Sequence, residues 1–267
     1  MHVKFSWDLF RHNGFALRCD YELLSQLKSS TQPSETNTLL GKGSLFIGQN
    51  VNMEGVSINT TSGPIYIDDG ATVMEGSLLR GPLYIGKNSV VKMGAKIYGD
   101  TTIGQEVKVG GELSNVVFFG FSNKGHDGFL GNAVVGQWCN IGAATDASNL
   151  KNDYSNVKAW SYSQNRFIDT GLQFCGLLMG DHSQCAIHTT FNTATTVGVG
   201  CNIFGSGFPR TYIPSFSRGG AQGLVENKIE KVQQTAQLMM QRRGQRIDES
   251  YNNLLADIFG QTAAFRK

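Results

Sequence analysis

The aliphatic residues of segment 67–109 fall on a fixed count. Ile67, Val73, Leu79, Ile85, Val91, Ile97, Ile103 and Val109 each follow the last by six positions. Glycine comes directly after several of them, as in Ile85-Gly86, Ile103-Gly104 and Val109-Gly110. A six-residue period fits neither an amphipathic helix nor a single strand, whose repeats are about 3.6 and 2 residues. It predicts an all-β solenoid. Each unit makes one short strand and one corner, with the aliphatic residue inward and a small or turn-forming residue outside it. The period begins upstream at Ile47 and Met53. It returns in Phe129, Val135, Ile141 and Ala147, and again in Met179, Cys185, Phe191, Val197 and Ile203. The gaps between runs read as loops protruding from the coils. Three six-residue sides make one coil, so the runs predict eight or so coils and a prism on the order of 40 Å long. Its two ends would be raw strand edges in need of caps.

The flanks carry another pattern. Residues 1–43 read as a helical segment and linker. Trp7, Leu9, Phe10, Phe15, Leu17, Tyr21, Leu23, Leu24 and Leu27 suggest a helix over 6–29 with Gly14 as a break. A polar Ser, Thr, Asn and Pro stretch follows over 29–38. The first helix would be either a strap on the coils or the tail of an upstream domain. The β-helix is expected over 44–218, and 219–267 as a helical cap and oligomer contact. There Val225, Ile229, Val232, Ala236 and Met239 mark one helix, Gly244 its stop, and Asp248 the cap of a second carrying Tyr251, Leu255 and Phe259.

Composition changes little in this picture. The 33 glycines suit a corner-rich coil, and a net charge of +2 gives no argument for nucleic acid or an anionic membrane surface, though a local anion site is compatible with it. Five cysteines without a Cys-x-x-Cys pair suggest neither a disulfide framework nor a zinc knuckle, and Cys185 falls at an inward position as a small apolar filler. The N-terminus has no apolar core of the kind a signal peptide carries, and no apolar stretch reaches membrane-spanning length, so the expected location is cytoplasmic.

Chemistry is expected where the period breaks, at GGELSNVVFFGFSNKGHDG over 110–128. Here His126, Phe129-Leu130-Gly131, Val135-Gly136, Asn140-Ile141-Gly142-Ala143, Thr145 and Asn149 follow one another at set distances. Together they resemble the acetyltransferase signature of the bifunctional N-acetylglucosamine-1-phosphate uridyltransferase/glucosamine-1-phosphate acetyltransferase family. GHDGFLG, SNLKNDY, MGDHS and IFGSGFPR are similar to a Bacteroidetes-type variant branch, a sugar-1-phosphate nucleotidyltransferase group. The resemblance covers nearly all of 44–216 and implies a left-handed parallel β-helix, a homotrimer, and acetyl-coenzyme A held between neighbouring prisms. It implies N-acetyl transfer to an amino-sugar 1-phosphate, with no metal in this part. No Gly-rich nucleotide loop precedes the coils, so nucleotidyl transfer is not assigned to these residues.

The resemblance supplies roles. His126 matches the catalytic base, and imidazole suits the removal of a proton from a sugar ammonium near neutral pH. Glu112, fourteen residues earlier, matches the carboxylate that orients such a base. Asn140 and Asn149 match acceptor-binding amides. Lys124, Lys151, Lys158 and Lys96 are phosphate-binding candidates. Gly142, Ala143 and Gly205 are expected against the acetyl donor, with backbone N–H groups at the Gly142-Ala143 corner receiving the oxyanion. Phe129 and Leu150 stand where the family has Tyr, and Ala144 and Asp146 where it has Gly and Ile. Two other readings of the same residues stand beside this one. A zinc enzyme would need converging histidines, but His182 and His188, six apart, fall on adjacent sides of a coil. A trimerisation scaffold for a nucleotidyltransferase domain would need no site of its own.

Overall fold

In a computed structural model the described residues are 2–266. They form a parallel β-solenoid of about ten turns, a left-handed β-helix with three sides. The first face stacks Ile47, Ile67, Ile85, Ile103, Phe118, Val135, Met179, Val197 and Ile213 in register. The second stacks Met53, Val73, Val91, Val109, Lys124, Ile141, Cys185, Ile203 and Gly219. The third stacks Ile58, Leu79, Ile97, Leu113, Leu130, Ala147 and Phe191. These apolar columns are almost wholly removed from water and merge into one core, each aliphatic chain contributing about 1.5–3 kcal/mol of transfer free energy. Buried serines brace the corners. Ser89, Ser122 and Ser183 each donate to a carbonyl of the next rung (Gly104, Gly136 and Gly198, all at 2.6 Å) and accept one amide.

Between the first and second faces every coil turns on a residue at positive φ. The series runs Asn50, Gly70, Asn88, Glu106, Phe121, Trp138, His182, Gly200 and Phe216. Asn and Gly take that conformation cheaply; Phe, Trp and His do not, so the upper corners are held by stacking instead. Phe121 lies on Trp138 with ring centroids 4.3 Å apart, and Trp138 on His182 at 6.4 Å.

Several sequence expectations are corrected here. Phe129 is not an inward residue: Leu130 pairs with Leu113 and Ala147 in the core, and Phe129 is partly exposed. Phe129 falls out of the series because the side from Leu130 to Val135 spans five residues, and the hexads slip again in the coil from Val109 to Lys124. Its side from Val109 to Leu113 spans four residues where Val91 to Ile97 spans six, and Leu113 to Phe118 spans five. That slip hides one coil from a count of hexads, and the coil ending at Ile213 and Gly219 carries none, which accounts for the turns beyond the expected eight. Gly14 does not break the first helix, α1 (Asp8–Leu24). A Cβ there would run into the Asp100 carboxylate, so glycine lets the helix approach the coil.

The helix α1 is a strap along the first face. Its Trp7 and Phe10 pack with Val134, Leu178 and Ala194 of the coils and with Val157, Ala159 and Cys175 of the 148–177 insertion. That insertion carries an antiparallel hairpin, Lys158–Ser161 with Arg166–Asp169. The polar stretch after α1 then closes the first coil. Ser30 Oγ accepts the Ile47 amide at 2.9 Å, and the Thr31 amide donates to Ile47 O at 2.7 Å. Asn37 Oδ1 accepts the Val56 amide at 3.0 Å while its amide donates to Met53 O at 2.9 Å.

At the other end, Gly223–Glu226 turns back antiparallel on Ser217–Gly220. Val225 therefore lies in a strand, 66% exposed, and α2 (Ile229–Gln241) begins after it. The expected helical cap is instead a helix pair laid lengthwise. α2 runs along the second face from Gly200, beside Val232, to Asn123, beside Arg243. Then α3 (Glu249–Gln261), capped by Asp248 as read from the sequence, returns to place Phe259 against Phe216. Among the described residues no helix is long and apolar enough to cross a membrane.

Candidate functional site

Four successive rungs of the second face each present an outward polar residue. Lys108, Asn123, Asn140 and Gln184 stack in that order because parallel pairing in register repeats each outward position one strand spacing along. α2 stands over this ladder and leaves a groove of about 750 Å³. Thr235, Leu238 and Met239 of α2 form one wall, Phe121 and Trp138 of the aromatic corner lie along one side, and Lys92, Gly125, His126, Gly142, Ala143 and Ile187 along the other. Arg242 and Arg243 reach in from the end of α2.

The groove is electrically one-sided. Lys92, Lys108, Arg242 and Arg243 line it and no carboxylate does. Arg243 is held in place: its guanidinium donates to Asn123 Oδ1 at 2.8 Å and pairs with Glu106 at 3.4 Å. Among the described residues the other three cations have no ion-pair partner. Arg243 beside it, then burial, then Lys92 and Arg242 hold the Lys108 ammonium below the ordinary lysine range. A cluster that disfavours its own charges is one that an anion would stabilise.

The structure separates the sequence-predicted residues. His126, Asn140, Gly142 and Ala143 meet in the groove. The Gly142 amide is engaged with Cys185 O at 3.1 Å, which removes it as an oxyanion donor; the Ala143 amide has no protein acceptor among the described residues. Glu112 stands on the third face and accepts a 2.6 Å hydrogen bond from Tyr98 Oη; among the described residues none joins it to His126. Asn149 lies at the root of the insertion, donating to Asn132 Oδ1 at 2.7 Å. Lys151 braces the insertion loop through Asn156 O at 2.7 Å, and Lys158 is exposed on its hairpin. Lys96 is on the third face, and Gly205 packs by Gln222, outside the groove. Lys124 is 1% exposed and faces the interior, away from any phosphate in the groove. His182 and His188 sit at different corners, each at positive φ, and among the described residues no three ligating side chains converge on a metal-sized site. The groove cations were missed; their one sequence signal is the Arg242-Arg243 pair just before Gly244.

The aromatic corner beside the groove titrates. His182 Nε2 meets Tyr251 Oη at 2.7 Å, while its buried Nδ1 has no partner. Burial pulls this imidazole down to about 4. It is neutral when folded, so its contribution is whole above the unfolded imidazole range near 6.5 and drains as pH falls toward about 4. The loss is on the order of 3 kcal/mol. The expected result is a melting temperature that drops between pH 6.5 and 4.5, with a shallower drop in His182→Gln. Equal slopes in scanning calorimetry would show that this histidine is not the group responsible.

No family model matches the chain, and no curated protein does. Solved structures do. The polySia-specific acetyltransferase NeuO aligns with 13% identity over 73% of this chain and 88% of its own, with a TM-score of 0.42. Arabidopsis UDP-N-acetylglucosamine acyltransferase aligns with 14% identity over 76% and 77%, TM-score 0.34. LpxA, a UDP-N-acetylglucosamine acyltransferase from Bacteroides fragilis, aligns with 13% identity over 88% and 92%, TM-score 0.28.

Proposed function

We propose that this chain is an N-acetyltransferase that moves the acetyl group of acetyl-coenzyme A to the amine of an amino-sugar 1-phosphate. The observation that carries the reading is one groove lined by a histidine, His126, and four cations, of which Arg243 is paired with a carboxylate, Glu106, while the other three have no ion-pair partner among the described residues. The phosphates of coenzyme A are the anions such a cluster fits, and the amides of Asn140 and Gln184 suit a sugar's hydroxyls. In the reaction the acceptor amine forms a bond to the thioester carbonyl carbon. His126 takes the amine proton, the carbon–sulfur bond breaks, and the proton passes to the departing thiolate. The Ala143 amide is the free donor for the transient oxyanion. Homotrimeric assembly belongs to the same reading: among the described residues no helix covers the third face, which exposes the outward Leu40 and Leu78.

Titration calorimetry with acetyl-coenzyme A tests this. Binding is expected to weaken with salt, and the double variant Lys108→Gln, Arg243→Gln to raise Kd by at least about tenfold, since each hydrogen bond to a charged group is worth about 1.5–3 kcal/mol. No heat of binding up to millimolar ligand would leave the chain as a scaffold without a donor site.

A further inference from the structure

Lys124 occupies a position that the repeat reserves for aliphatic residues. It stacks between Val109 and Ile141 on the inner side of the second face and is 1% exposed. Its Nζ donates to His126 O at 2.8 Å and reaches Gly110 O at 3.5 Å. A buried ammonium in an apolar column is costly, and nothing in the packing of a β-helix asks for it. The carbonyl it holds belongs to the residue whose imidazole enters the groove.

The far half of that corner, Asp127-Gly128, is tied to the rungs on either side; among the described residues no backbone–backbone hydrogen bond outside the ladders holds Gly125 or His126. The corner runs Gly125-His126-Asp127-Gly128, and a Cβ on Gly125 would meet nothing within 4 Å. The corner beneath is two residues short, passing from Val109 to Leu113, so it gives less support than a full corner would. The ties of that far half are the Ala144 amide on Asp127 O at 2.9 Å and the Glu112 amide on Gly128 O at 3.1 Å.

We propose that Lys124 is a positioning residue that holds the His126 corner from inside the prism, and so sets where the imidazole stands in the groove. The proposal rests on the reading of His126 as the base. Burial lowers the Lys124 amine to about 8, while Asp146 and Asp127 favour its charged form. It therefore remains mostly an ammonium at neutral pH, the stronger donor to a carbonyl.

The test is Lys124→Met, which keeps the length of the side chain and suits an apolar column. Its melting temperature should equal or exceed the parent's, because a buried charge is gone. With acetyl-coenzyme A and glucosamine 1-phosphate, kcat should fall about 10- to 100-fold, the cost of a misplaced catalytic group, while KM for acetyl-coenzyme A holds within about twofold. Independently of turnover, hydrogen exchange in peptides spanning 125–128 should speed up about tenfold, with the neighbouring rungs unchanged. Unchanged exchange at the corner overturns the anchor whatever the turnover, and so does a kcat within about twofold of a parent whose His126→Ala variant is impaired. A loosened corner together with full activity in His126→Ala keeps the anchor and removes the catalytic reading of His126.

Discussion

His126→Ala is expected to lower kcat by about 10²–10⁴-fold while leaving KM for acetyl-coenzyme A nearly unchanged. An amine must be neutral to attack a thioester, and most sugar amine is protonated at neutral pH. A base beside the acceptor removes that proton at the moment of attack, and imidazole is the side chain suited to do so in this pH range. The groove places His126 on the same side as the Ala143 amide, which has no acceptor among the described residues, so in the proposed reaction base and oxyanion donor would act on one carbonyl. In the proposed reading donor affinity resides with the cations around Arg242 and Arg243, which the substitution does not touch. Thiol release at saturating donor is the measurement. A variant as fast as the parent on the best acceptor found would make His126 a structural residue.

The second large effect is on stability. Gly128→Ala should lower the melting temperature by about 6–12 °C, whereas Gly125→Ala should change it little. Gly128 sits at φ +125°, and a Cβ there would run into the Thr145 carbonyl oxygen of the next rung. Neither backbone can yield without breaking ladder hydrogen bonds, so strain and overpacking together cost about 3 kcal/mol. Gly125, three residues away, has open space at the same point and no positive φ. Thermal unfolding of the pair gives the comparison. Equal melting temperatures would mean that the corner is not packed against the rung above it.

The repeat was legible because a β-helix is built from contacts between positions about eighteen residues apart. An aliphatic residue every six positions is therefore both the sequence pattern and the core. Legibility failed where a coil changes length. Because Leu130 to Val135 spans five residues, Leu130 and not Phe129 continues the column, and once Val109 to Leu113 is cut to four, Lys124 enters the core unannounced. No hydropathy pattern assigns an inward position to lysine. The polar stretch near Ser30 read as a linker because side chains that close a strand edge have the composition of side chains that face water. Of the site, the residues local to the His126 corner were readable. The cations were not, because the contact of Arg243 with Asn123 joins residues 120 apart through a helix whose seat on the coil follows no repeat.

A β-helix is a template for its own growth: each coil offers the next a full row of donors and acceptors, and an open first coil would offer the same row to another molecule. Ser30, Thr31 and Asn37 take up the amides and carbonyls of Ile47, Met53 and Val56 that would otherwise face outward along the axis. The stretch that looks most like a passive connection thus acts as a chain terminator on two of the three sides, the third ending in the short strand Thr38–Leu40. It keeps a one-dimensional crystal to the length of a single polypeptide.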